Sequence, residues 1–371
     1  MDALPSISSR GDNTWNDDAW NDTWNDTWND TWNDAWNDTW DDLLDDAAEI
    51  PAGHRAVLTL YAAIFLLGVP GNGAVLWVAA SELRRTVNGV WFFHLALADL
   101  LSCLALPFVA LPLATDHHWP LGAAACRLLP SLTVLAMFAG VLLLTALSAD
   151  RCALVTRPVW CHNRRTPALA AAACAGAWAA AALLTAPSLA FRALRRDPFS
   201  AKATCVMAYG GGGGRRRGAE LSVAAARFLC GFAGPFAVIS GCYGRLLCRV
   251  RALGPGRSQR ATVTVLVVVL SFFVCWLPYH VVGLVLAAAA PGGAAFRGAQ
   301  AADAAAAGLA YVNGCVNPVI YLAMGRGPGR ARRSWRALLK RALGDDAAGA
   351  AGDGRARSAD TAEDGVESAA V

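Results

Sequence analysis

The sequence predicts an all-α membrane protein, a seven-transmembrane-helix bundle, and three observations carry that prediction. Hydrophobic residues make up 56% of the 371 positions and charged residues 16%, a balance unlike that of a soluble domain of this length. Seven apolar stretches are each long enough, at about 1.5 Å per residue, to cross roughly 30 Å of hydrocarbon. Arginines gather in alternate joins between those stretches, which sets one side of the bundle as cytoplasmic and puts the N-terminus outside.

Residues 1–52 form the first segment. From Asn13 to Trp40 they repeat Trp-Asn-Asp-(Thr/Ala), with Arg10 the one basic residue among many aspartates. Without alternating aliphatics this stretch cannot bury a core, so it reads as a disordered acidic extracellular tail; a repeat expansion with no selected role is the alternative for the tryptophans. Asn21, Asn25, Asn29 and Asn37 each open an Asn-Asp-Thr acceptor for N-glycosylation. No cleavable signal is visible, so the first span is expected to serve as the targeting signal.

Residues 53–326 hold the membrane domain. Its spans run from Ala56 to Ala79, Asn88 to Ala114, Ala123 to Val155, Ala168 to Ala190, Leu221 to Val250, Ala261 to Ala289 and Ala301 to Met324. The joins carrying Arg84 and Arg85, then Arg157, Arg164 and Arg165, then Arg245 to Arg260, fall on the cytoplasmic side. One outer join, Arg192 to Arg217, is basic against that rule, and reads either as an anion-recognising surface or as incidental charge. Its glycine run, Gly210 to Gly214, predicts flexibility. Of the eleven cysteines, Cys126 and Cys205 alone meet the oxidising exterior, so a disulfide between them follows by elimination, two free thiols being the alternative. Residues 327–371 begin with an amphipathic stretch, Pro328 to Leu343, suited to the anionic inner leaflet, and end in an Ala/Gly/Asp-rich tail with Ser358, Thr361 and Ser368.

Charged groups inside a span are expensive, so each is a functional candidate. Asp99 is the deepest, and Asn72, Asn313 and Asn317 are its expected partners, with a cation- or proton-sensing role weighed against a merely structural protonated carboxyl. Arg227 precedes Pro235 by eight residues, about 12 Å toward the outside, and Asp303 stands about 22 Å above Pro318 by the same rise. With Arg192 they give the outer mouth two cations and one anion, a polarity suited to a peptide or protein terminus bearing a carboxylate and a basic side chain; snorkelling to the headgroups is the alternative for the arginines. Prolines at 107, 187, 235, 278 and 318 bend the helices and open a cavity. Trp276 and Tyr279, three apart, face its floor or else pack in the core.

These residues resemble the rhodopsin-like (class A) family of G-protein-coupled receptors. Gly71-Asn72, Leu95-Ala96-Leu97-Ala98-Asp99, Ser148-Ala149-Asp150-Arg151, Trp178, Pro235 with Tyr243, Cys275-Trp276-Leu277-Pro278 and Asn317-Pro318-Val319-Ile320-Tyr321 carry the likeness across all seven spans. Within it, Leu100 to Pro107, Asp116-His117-His118-Trp119-Pro120, Pro158-Val159-Trp160-Cys161 and Ala310-Tyr311-Val312-Asn313 are similar to the chemotactic receptors for the anaphylatoxin of the fifth complement component. The resemblance implies that Arg192, Glu220, Arg227, Tyr279 and Asp303 contact the ligand's C-terminal tail and that the acidic N-terminus docks its basic body. It implies that Asp99, Asp150, Arg151, Tyr243, Trp276, Asn317, Pro318 and Tyr321 serve activation and coupling to an inhibitory-class heterotrimeric G protein.

Intact Asp150-Arg151 favours a signalling receptor over a non-signalling decoy for the same ligand; a receptor for another chemotactic peptide, such as a formyl peptide, is the other alternative. Four departures qualify the likeness. Cys152 replaces an aromatic residue, Gly140 replaces a serine beside a sodium site expected near Asp99 and Asn313, and no tyrosine precedes Tyr61. Pro328 replaces a phenylalanine, and with sparse phosphorylatable residues beyond it weak arrestin recruitment is expected. The partners expected are thus a basic protein ligand, a G protein, arrestin weakly and membrane lipid, with no nucleic acid and no cofactor. No lysine lies in the seventh span for a retinal Schiff base, no transporter-like repeat is visible, and no nucleophile–base or metal-spaced set points to an enzyme.

Overall fold

A computed structural model of the protein describes residues 51–198, 202–210, 213–253, 259–326 and 334–344. The glycosylation acceptors Asn21, Asn25, Asn29 and Asn37, Pro328, and Ser358, Thr361 and Ser368 lie outside the described residues. Along the chain come α1 (Ala52–Ser81), α2 (Val87–Ala114), α3 (Gly122–Thr156), the short α4 (Pro158–Arg164) and α5 (Pro167–Phe191). A hairpin of β1 (Arg192–Arg196) and β2 (Ala203–Met207) follows, then α6 (Gly213–Phe228), a π-helical turn (Leu229–Ala233) and α7 (Gly234–Leu253). The chain continues through α8 (Gln259–Ala288), α9 (Ala294–Gly325) and α10 (Trp335–Leu343). Seven helical segments are long and apolar enough to cross a membrane, with α6, the π turn and α7 forming one of them.

Local chemistry explains where these helices begin. Thr86, Thr166 and Ser334 each accept a hydrogen bond from the backbone N–H three residues on, capping α2, α5 and α10. Proline occupies the first turn of α4 and of α5, where its missing N–H costs nothing. The π turn precedes Pro235, which cannot donate to the carbonyl of Gly231; one wider turn absorbs the mismatch.

Helix α3 runs through the centre, with Phe138, Ala139, Val141, Leu143, Leu144 and Leu147 almost wholly buried. It packs against α2, α5 and α7, while α9 closes the bundle against α8 and α1. Between lipid-facing helices the apolar effect is weak and close packing holds the bundle, so small residues mark the tightest approaches. At Gly71 an added Cβ would stand 3.1 Å from Pro318. Gly68 and Gly314 form a notch filled by the Sγ of Cys103, which would lie 2.4 Å and 3.0 Å from Cβ atoms built on them.

The described residues of the basic outer join include two strands and the start of a helix. Its first half is the antiparallel hairpin, with Leu194 opposite Cys205. The disulfide predicted by elimination, Cys126–Cys205, ties that hairpin to the start of α3. Helix α6 begins at Gly213, inside the glycine run that reads as flexible, so Arg215, Arg216 and Arg217 are helical. At the opposite end, the described part of the amphipathic stretch includes α10, whose Leu339, Ala342 and Leu343 are buried against the bundle while Trp335 is exposed. Lys340 pairs with Glu82 at 3.1 Å, and the Arg336 guanidinium lies 3.6 Å above the Trp77 ring.

Candidate functional site

Helices α6, α8 and α9, with the end of β2, enclose an outer cavity of about 1080 Å³. Four of the five predicted ligand contacts line it: Glu220 and Arg227 from α6, Tyr279 from α8 and Asp303 from α9. Arg227 Nη1 donates to Tyr279 Oη at 3.2 Å, fixing the guanidinium against the wall. Glu220 accepts from Arg216 Nε at 3.0 Å, one helical turn away, which the i,i+4 spacing makes possible.

Arg192 is not among the lining residues. It opens β1, and its Nε is buried without a hydrogen-bond partner. Burial pushes its pKa down; Tyr279 acts the other way and Arg227 adds to the lowering.

Arg216 and Arg217, from the basic join that the sequence offered as an anion-recognising surface, also line the cavity. So do Tyr209, His280 and Gln300, which were not singled out from the sequence; Tyr209 and Gln300 carry no signal, because only the folding back of β2 and α9 brings them there. Trp276, expected to face the cavity floor, is not among its lining residues: it is buried, stacks on Phe272 at 5.7 Å and meets Tyr279 edge-on at 5.7 Å.

Deeper in the bundle, Asn317 Nδ2 donates to Asp99 Oδ2 at 2.7 Å. Asn72, expected to serve the same carboxylate, turns its amide elsewhere: Nδ2 donates to the carbonyls of Gly68 at 2.9 Å and Gly314 at 2.6 Å. The reason is Pro318, which has no N–H for the carbonyl four residues before it, so Gly314 is freed and Asn72 captures it. The buried amide oxygens of Asn72, Asn313 and Asn317 have no hydrogen-bond partner. Gly140 contributes no oxygen from its side. Nearby, the buried Tyr321 ring meets Phe92 edge-on at 5.1 Å.

At the cytoplasmic end of α3, Asp150 is gripped by Arg165, whose Nε and Nη2 donate to its two oxygens at 2.9 and 3.1 Å. Arg151 Nε stands 3.9 Å from Asp150, and Arg151 Nη2 donates to Asn88 Oδ1. Arg165 was read only as a cytoplasmic charge, and Asn88 only as the start of a span. Tyr243 is partly buried beside this group. Among the described residues no set of three or more His, Cys, Asp or Glu side chains is placed to hold a metal.

Comparison with known proteins follows the same lines. The 7 transmembrane receptor (rhodopsin family) description matches residues 71–321. C5a anaphylatoxin chemotactic receptor 1 of Oryctolagus cuniculus is 47% identical over 290 residues, spanning 78% of this chain and 82% of the relative. The receptor of the same name from Homo sapiens is 43% identical over 290 residues, 78% of this chain and 82% of the relative. That of Rattus norvegicus is 42% identical over 302 residues, 81% and 85%. The chain belongs to the rhodopsin family of seven-transmembrane receptors, and is a multi-pass plasma-membrane receptor rather than an enzyme.

Proposed function

We propose that this receptor binds the complement anaphylatoxin C5a and activates an inhibitory-class heterotrimeric G protein. The observation that carries the reading is the outer cavity, where Arg227, Tyr279, Glu220 and Asp303 meet around about 1080 Å³. A peptide tail ending in a carboxylate finds Arg227, with Arg192 behind it; a basic side chain near that end finds Asp303. Charge-assisted bonds of this kind are the strong ones, and their geometry fixes the tail's orientation. The acidic residues 1–52 supply long-range attraction for a basic ligand body, raising the association rate and weakening with salt. The relatives' names supply the ligand's identity, and the cavity's polarity supports the same reading.

Agonist in the cavity bears on Tyr279 and through it on Trp276, which sits beside Pro278 of α8. A ligand shifts the resting equilibrium only by its differential affinity for the two states, and a nearly complete shift needs about 5.5 kcal/mol. Asp99, Asn313 and Asn317 would hold a sodium ion in the resting state, and Tyr243, Asn317, Pro318 and Tyr321 would rearrange as α8 moves out and Arg151 receives the G protein. Arrestin recruitment is weak in this reading, because Ser358, Thr361 and Ser368 are the few phosphorylatable residues following α10.

Binding of labelled recombinant C5a to membranes carrying the receptor tests the ligand assignment. Saturable binding, weakened by Arg227→Ala and by Asp303→Ala at unchanged surface expression, is expected. No saturable binding at micromolar C5a would remove the assignment and leave a receptor for another chemotactic peptide.

A further inference from the structure

The cytoplasmic cluster is built around an asparagine. Asn88 is almost completely buried, and its single amide oxygen accepts from two guanidinium groups, Arg151 Nη2 and Arg165 Nη2, the latter at 3.0 Å. Its amide nitrogen donates to the carbonyl of Gly344 at 3.3 Å, at the C-terminal cap of α10. An amide has one acceptor end and one donor end. A flip of Asn88 would set its NH2 against two cations and its oxygen against a carbonyl, so the two contacts enforce each other.

Arg165 matters as much. It takes both oxygens of Asp150, while Arg151 stands 3.9 Å away, so the two arginines compete for one carboxylate. The three side chains, Arg151, Arg165 and Asp150, are each no more than 13% exposed, which leaves their interactions little screened by solvent.

We propose that Asn88 is a positioning residue that couples the carboxy-terminal helix α10 to the resting orientation of Arg151, and that Arg165 weakens that resting state by diverting Asp150. The proposal rests on the G-protein reading above for its functional consequence, but not for its structural core. While Gly344 holds the amide nitrogen, the amide oxygen is presented to Arg151 and restrains it. When α10 leaves, Asn88 is free to rotate and the restraint on Arg151 is lost. Arg165 shares the Asn88 oxygen with Arg151 but grips Asp150 through two bonds of its own, so the two controls are separable by mutation.

The test uses the full-length receptor in membranes, with two readouts: amide hydrogen exchange across α10, and basal nucleotide exchange on an inhibitory-class G protein. Asn88→Ala should speed hydrogen exchange in α10 and raise basal nucleotide exchange about tenfold, the factor that loss of one charge-assisted hydrogen bond sets. Asn88→Asp keeps an acceptor for both arginines but loses the donor to Gly344, so it should speed α10 exchange without raising basal activity. That variant also distinguishes loss of coupling from loss of folding. Arg165→Gln should leave α10 unchanged and lower basal activity, because Asp150 returns to Arg151.

Unchanged α10 exchange in both Asn88 variants would overturn the coupling, and a rise in basal activity on Arg165→Gln would overturn the competition. A receptor that shows no agonist-driven nucleotide exchange would sink the G-protein reading, while the hydrogen-exchange arm still decides whether Asn88 holds α10.

Discussion

Gly68→Ala should destabilise the receptor, and Cys103→Ala should rescue it. A Cβ at position 68 would sit 2.4 Å from Cys103 Sγ but 3.4 Å from Cys103 Cβ and 3.5 Å from Cys315 Cβ. The conflict is therefore with one sulfur atom, and the remaining neighbours are at ordinary contact distance. Overpacking a core by one methyl group costs about 1–3 kcal/mol. Removing the sulfur alone, in Cys103→Ala, opens the notch between Gly68 and Gly314 and costs roughly 1–2 kcal/mol by the usual large-to-small reasoning. In the double variant the new methyl group fills the space the sulfur left. Its loss should fall short of the summed single losses by about 1–3 kcal/mol, within the range for residues in direct contact. The assay is thermal inactivation of purified receptor in detergent, read as retained monodispersity after timed heating, because receptors of this size unfold irreversibly. Additive losses in the double variant would refute the notch.

Three further outcomes follow from the same packing and charge. Asn72→Ala leaves the Gly314 carbonyl without its donor and should cost about 1 kcal/mol, the scale of interhelical hydrogen bonds in membranes, seen as earlier heat inactivation. Replacing Arg227 by Ala should weaken C5a binding about 10- to 100-fold, whereas Tyr279→Phe, which removes only the hydroxyl partner at 3.2 Å, should cost less than tenfold in the same binding assay. The Lys202 ammonium, hydrogen-bonded to Asp116, holds that carboxyl below its ordinary value of 3.8. A depressed carboxylate contributes stability that is present in full above its unfolded pKa and disappears as pH falls through the lower folded value. The difference in heat resistance between wild type and Lys202→Met should thus be constant from neutrality down to about pH 4 and fade below it; a difference unchanged at the lowest pH would contradict the pairing.

Much of this was legible in the chain. Apolar length gave the seven spans, compartment gave the Cys126–Cys205 bridge, and the spacing of Arg227 and Asp303 from their prolines placed both at one outer cavity. What escaped depends on backbone groups and distant loops. Asn72 serves a carbonyl rather than Asp99 because Pro318 frees that carbonyl, an effect that requires knowing α1 lies against α9. Arg165 reaches Asp150 because α4 folds the join back under α3, and fifteen residues of separation announce no such return. The helical start of α6 at Gly213 runs against glycine's low helix propensity; its tertiary neighbours include α8, whose Ala288 carbonyl accepts from Arg217 at 2.7 Å.

The central claim, a signalling receptor for C5a, is tested most directly by agonist-stimulated nucleotide exchange on an inhibitory-class G protein, in membranes carrying the receptor, with an Asp303→Ala control. The account predicts exchange that rises with C5a, saturates, and shifts to higher C5a in the control. Saturable C5a binding with no exchange at any concentration, at verified surface expression, would contradict it and make the receptor a decoy.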